Sequence, residues 1–166
     1  NKFRRLEPVF FLCLPSLRRF DISENSLSYI DTNVFKSSPM LETVNISSNE
    51  LSTVDRSTFA SLTHLFEIDA SNNNLVEMIS GLPRAIERVS VRNNKINNLA
   101  TSPHTFDLPN LRMIDISSNE LKHVHQVFTR SPQLRTIYLE KNKLTSIDET
   151  SFLGLNFLEV LNLQDN

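Results

Sequence analysis

One asparagine recurs along this 166-residue chain at a nearly fixed distance. It stands at positions 1, 25, 49, 73, 94, 119, 142 and 166, at intervals of 24, 24, 24, 21, 25, 23 and 24 residues. Apolar residues keep fixed offsets around it. Leu17, Phe20 and Ile22 precede Asn25, and Leu27 and Ile30 follow it; Leu41, Val44, Ile46, Asn49, Leu51 and Val54 repeat the pattern. The unit can be read seven times, the last cut short at Leu158, Leu161, Leu163 and Asn166, while Asn1, Phe3 and Leu6 match the tail of an earlier unit. A period this short forbids a globular core: no unit can bury its apolar face alone, so each stacks on its neighbours as a solenoid.

Within the unit, Val44 and Ile46 alternate with Thr43 and Asn45, which is the period of a strand with one buried face. One strand per unit, always in the same chain direction, stacks as a parallel sheet, and parallel neighbours need a crossover. The ~24-residue unit leaves room for a short return segment rather than a full helix. The asparagine amide offers both donor and acceptor, so Asn25, Asn49, Asn73, Asn94, Asn119 and Asn142 read as a ladder that satisfies backbone groups at the strand exit. Phe11, Phe35, Phe59, Phe106, Phe128 and Phe152 read as a second, apolar spine under the return segments. The 21-residue unit lacks a spine Phe; Gly81 and Pro83 predict an extended return there, with a local change of curvature.

These residues and spacings resemble the leucine-rich-repeat family, of the roughly 24-residue kind typical of animal extracellular proteins. The resemblance covers the whole chain. It implies an α/β-type solenoid: a leucine-rich-repeat horseshoe with a parallel β-sheet on the concave face and short irregular or 3-10 return segments on the convex face. Residues 1–166 are expected to form a single array of seven repeat intervals, without N- or C-terminal caps, cut from a longer chain. Ends lacking a cap are expected to expose apolar surface. The Phe spine resembles chaoptin-like adhesion molecules and Toll-like receptor ectodomains.

Composition narrows the function. Two glycines, Gly81 and Gly154, supply neither a dinucleotide-binding turn nor a P-loop, and imply turns closed by side-chain ladders more than by permissive backbone. Lys and Arg total 17 against 19 Asp and Glu, a formal charge of −2, which argues against an electrostatic nucleic-acid binder. The longest apolar run, residues 9–14, is far below the ~18–20 residues of a spanning helix. No H-E-x-x-H or G-x-S-x-G occurs, so the chain reads as a binding module and not an enzyme, with no catalytic residues, metal or cofactor. His123 and His125 read as two solvated histidines, with no Cys or carboxylate at ligand spacing to complete a metal site. Cys13 reads as a free, partly exposed thiol, or one paired beyond this chain.

Binding then falls to the exposed strand positions, which form columns across the sheet. The central column reads Asp21, Asn45, Asp69, Ser90, Asp115, Tyr138 and Asn162, and the column before it ends in Met113, Thr136 and Val160. The aspartates are ordinary usage for such strands. Met113, Tyr138 and Val160, with Arg112 and Arg135 alongside, have the composition of a protein-binding hot spot. Asn45-Ile46-Ser47 is the single N-x-[ST] sequon and makes Asn45 a glycosylation candidate. By resemblance, the chain is expected to be a cell-surface or secreted ectodomain segment that binds a protein, another cell-surface protein or a second copy of itself, in adhesion or ligand recognition. A Toll-like innate-immune or developmental receptor and an intracellular repeat scaffold are the alternatives. No nucleic acid is expected, and membrane association only through an anchor outside the segment.

Overall fold

A computed structural model of the chain describes residues 2–99 and 105–166. Seven three-residue strands, β2 (Arg19–Asp21), β4 (Thr43–Asn45), β5 (Glu67–Asp69), β6 (Arg88–Ser90), β7 (Met113–Asp115), β8 (Thr136–Tyr138) and β9 (Val160–Asn162), form one parallel sheet in sequence order. A smaller pair, β1 (Arg5–Leu6) and β3 (Tyr29–Ile30), is also parallel. The register never slips: Arg19 lies beside Thr43, then Glu67, Arg88, Met113, Thr136 and Val160. The fold is therefore the expected parallel-sheet solenoid. Among the described residues its return segments are turns and one 3-10 helix (Pro8–Phe11), with no α-helix.

From β4 to β8 the middle residue of each strand points inward. Val44, Ile68, Val89, Ile114 and Ile137 are fully buried, with Leu or Ile partners from the same repeat. Behind them lies the phenylalanine spine. Phe11, Phe35, Phe59, Phe106 and Phe128 are buried, and Phe152 is partly so. Ring centroids are 5.3 Å apart for Phe11–Phe35, 5.6 Å for Phe35–Phe59 and 5.0 Å for Phe106–Phe128, close enough for favourable edge and stacked contacts. In the short repeat, Met78, Ile79 and Leu82 are buried in the return segment. Gly81 there has φ +71°, and a Cβ on it would lie 1.9 Å from the Arg56 carbonyl oxygen. The short repeat thus packs backbone on backbone against its predecessor, and the sheet register passes through it unbroken.

The asparagine ladder works as the amide chemistry predicts. Asn49 Nδ2 donates to the carbonyls of Ile46 and Ser47 in its own turn and of Ile22 one repeat earlier, at 3.0–3.2 Å. Its Oδ1 accepts the Leu27 N–H at 2.8 Å. Asn73, Asn94, Asn119 and Asn142 repeat this pattern, each tying its turn to the repeat before it. Asn1 lies outside the described residues.

Glycine is scarce although these turns need positive-φ backbone, because the expected side-chain ladder closes them. The residue before each of these asparagines is left-handed: Glu24, Ser48, Asn72, Asn93, Ser118, Lys141 and Asp165 all have φ between 52° and 56°. The turn does require the backbone that glycine adopts most readily, yet fills it with other residues. The Asn bonds hold that strained geometry in place. A second polar ladder runs under the return segments. The buried Ser38, Ser131 and Ser151 hydroxyls donate to the Leu14, Phe106 and Val124 carbonyls at 2.6–2.8 Å.

Candidate protein-binding face

The seven strands present their first and third residues outward, so the columns inferred from the sequence are real columns. Most of the central column has a structural duty. Asp21, Asn45, Asp69, Asp115 and Asn162 each accept the backbone N–H two residues on through a side-chain oxygen, at 2.9–3.0 Å. Such a bond closes the chain's departure from the strand. The same interaction sets the charge of Asp21: the Ser23 hydroxyl, then its N–H, holds the carboxyl below its ordinary range. The aspartate row is therefore a row of turn caps.

Two residues in that column do not cap, Ser90 and Tyr138. Tyr138 sits in register between Asp115 and Asn162, half-buried, at a position its neighbours give to a short polar side chain. A side chain that departs from the local rule without a structural return marks a candidate functional position. Met113 is half-buried on the strand before, and Val160 stands on the last strand, where the inward Leu161 is equally open. Two residues on from Tyr138, Glu140 carries a carboxylate oxygen, Oε2, that is sealed from solvent and has no hydrogen-bond partner.

Arg112 and Arg135 stand one residue ahead of the outward column and are held by acids of adjoining repeats. Arg112 lies 3.4 Å from Glu87, and Arg135 pairs with Glu159 while its guanidinium stands 6.0 Å from the Phe157 ring centre. They border the patch as paired charges. The N-terminal half of the face differs. An open hollow of about 620 Å³ is lined there by Arg19, Asp21, Asn45, Glu67 and Arg88, among others. Arg88 and Glu67 approach to 3.7 Å, and the Asn45 amide donates to Asp21 at 3.1 Å. Asn45, the sequon residue, is thus on the exposed face, partly buried.

His123 and His125 are exposed, but His125 is not alone: its Nδ1 lies 2.9 Å from Asp148 Oδ2 of the next repeat. A carboxylate 23 residues away becomes a neighbour once the solenoid stacks, a juxtaposition that local spacing does not show. Among the described residues no cluster of three or more His, Cys, Asp or Glu side chains could hold a metal. Cys13 is exposed and unpaired. Among these residues, no helix is long and apolar enough to cross a membrane.

Parallel three-residue strands, an asparagine ladder and an outward-facing sheet define a repeat solenoid of the protein-binding kind. The chain belongs to the leucine-rich-repeat family: the leucine rich repeat pattern matches residues 15–75, 84–144 and 132–166. Chaoptin of Drosophila melanogaster is 36% identical over 72 residues, 42% of this chain and 6% of chaoptin. The crystal structure of a TLR13–ssRNA13 complex superposes with a TM-score of 0.88 and 25% identity, over 99% of this chain and 24% of that one. The APL1 leucine-rich-repeat domain superposes with a TM-score of 0.79 over 88% of this chain and 39% of that one; at 19% identity it shows the shared fold. The chain therefore spans a small part of each relative's length.

Proposed function

We propose that this chain is part of an extracellular leucine-rich-repeat protein that binds a protein partner through the C-terminal half of its concave face, in cell adhesion or ligand recognition. The observation that carries the reading is Tyr138, an aromatic side chain set outward in a column of short polar residues, between the turn caps Asp115 and Asn162. Half-buried Met113 and, in the same outward column, Val160 extend it into an apolar centre, and the paired arginines Arg112 and Arg135 form a polar rim. Likeness to chaoptin favours adhesion. The fold match to TLR13 over nearly the whole chain favours a Toll-like receptor ectodomain as the second reading. That relative was crystallised with an RNA, whereas the concave columns here mix both signs and lack the basic stripe an RNA backbone needs.

In this reading residues 1–166 form one continuous array within the longer protein, and the module acts by binding, without catalysis or cofactor. Asn45 carries an N-linked glycan that fills the N-terminal hollow and leaves the Tyr138 half free. Enzymatic deglycosylation of the secreted chain should raise its gel mobility, and Asn45→Gln should remove that change. Cells displaying the full-length protein test the binding face. Tyr138→Ala with Met113→Ala should abolish adhesion or ligand capture at unchanged surface level; unaltered binding would place the partner elsewhere. Recovery of the intact protein from cytosol alone would contradict the extracellular assignment.

A further inference from the structure

The C-terminal half of the face has a charge pattern that selects the chemistry of its partner. Across the first and third residues of β7, β8 and β9 and the residues two beyond each strand, of which Ser117 is buried, nine positions hold two carboxylates, Asp115 and Glu140, and no Lys, Arg or His. The two acids differ. Asp115 Oδ1 is engaged by the Ser117 N–H at 2.9 Å and the Ser117 hydroxyl at 2.6 Å. Glu140 keeps one oxygen sealed from solvent and unbonded. A buried acceptor left unpaired is costly, and most such atoms in folded proteins find a partner. Tyr138, two residues before Glu140 on the same outward row, has no cation over its ring among the described residues.

The other tyrosine shows what completes such a corner. Tyr29 carries the Arg5 guanidinium 4.1 Å from its ring centre, and Arg5 Nε is held 3.1 Å from Glu7 Oε1. There an arginine lies between an aromatic face and a carboxylate, supplied by the adjoining strand. At Tyr138 the aromatic ring and the carboxylate are present and the arginine is absent.

We propose that the Tyr138–Glu140 corner is a socket for an arginine side chain projecting from the protein partner. The guanidinium lies over the Tyr138 ring, and its two-pronged edge bonds the Glu140 carboxylate, which turns to use both oxygens. The aliphatic stem of the arginine is covered by the apolar side chains on the neighbouring strands, Met113 and Val160. An arginine suits this corner better than a lysine because only a planar group meets a ring face and a carboxylate edge at once. The proposal rests on the reading that a protein docks on this face, and adds what that protein must present.

The experiment uses N-acetyl-arginine amide as probe, with the citrulline analogue as its neutral isostere, titrated against the isotope-labelled chain and followed by amide NMR. Arginine should shift resonances of residues 113–117 and 136–140, and citrulline should not. Glu140→Gln, isosteric and free of charge, should weaken the arginine response by roughly fivefold or more, and Tyr138→Leu should do likewise, whereas Tyr138→Phe keeps the ring and the response. Dispersed spectra of each variant show that the sheet is intact. Equal shifts from citrulline, or arginine shifts scattered over the surface, would overturn the socket. If adhesion depends on Tyr138 yet arginine finds no site, the docking face stands and the socket fails. If arginine binds here while adhesion ignores the face, the socket stands and the proposed function fails.

Discussion

Lys141 shows how much the fold asks of single residues. It is exposed and held at φ 55°, a conformation that costs a side-chain-bearing residue about 1–2 kcal/mol relative to glycine. Part of that is returned because glycine is freer in the unfolded chain. Lys141→Gly should therefore raise stability by roughly 0.5 kcal/mol in urea denaturation. Asn119 lies at the opposite extreme: its amide bonds Val91, Ile116 and Ser117 carbonyls at 3.0–3.1 Å and accepts the Ile96 N–H at 2.9 Å. Asn119→Ala would orphan several buried backbone groups together, a loss of roughly 3–5 kcal/mol in the same measurement. The asparagines were legible from spacing alone, because the same residue type recurs at the site in every repeat. The left-handed position was not, because it accepts Glu, Ser, Asn, Lys and Asp alike.

Asp148 ties acid stability to a contact between repeats. Its carboxyl is held well below the ordinary range, chiefly by the His125 ring, then by the Thr150 hydroxyl and N–H. A depressed carboxylate stabilises the fold above its unfolded pKa, near ~3.9, and loses that contribution as pH falls through the folded value. Denaturation midpoints from pH 5 down to pH 2 should fall less steeply in Asp148→Asn than in the parent. Because both side chains are exposed, added salt should shrink the difference.

At the scale of elements, the two glycines separate two constraints. Both have positive φ, +71° at Gly81 and +85° at Gly154. A Cβ at Gly154 meets nothing within 4 Å, whereas at Gly81 it collides with the Arg56 carbonyl. Gly154→Ala should cost about 1 kcal/mol, the conformational term alone. Gly81→Ala should cost several-fold more, since two repeats must separate to admit the methyl group; equal losses in thermal melts would contradict the close packing. The strands and the Phe spine were readable because their periods, two residues along the strand and one repeat along the chain, follow from burial. The serine ladder was hidden. Ser38, Ser131 and Ser151 look like any surface turn serine until the carbonyl one repeat earlier is in place.

At the scale of the whole molecule, stacking converts sequence distance into contact at a fixed step, which accounts for what the sequence showed of the candidate site. Tyr138, Met113 and Val160 were found because a column is an alignment of repeats. Arg112 and Arg135 looked like a free rim, yet stacking sets Glu87 and Glu159 against them. The Glu140 oxygen has no signature in the sequence, since its isolation depends on what surrounds it in three dimensions. The resulting face is asymmetric, with mixed charge and a sequon at one end and an aromatic, acidic corner at the other. The central claim is that this second half, and not the convex surface, meets the partner. A photo-crosslinking amino acid placed at position 138 of the full-length protein on intact cells tests it most directly, with position 60, exposed on a convex return segment, as control. The account predicts a discrete protein adduct from position 138 and none from position 60; an adduct from position 60 with none from 138 would contradict it.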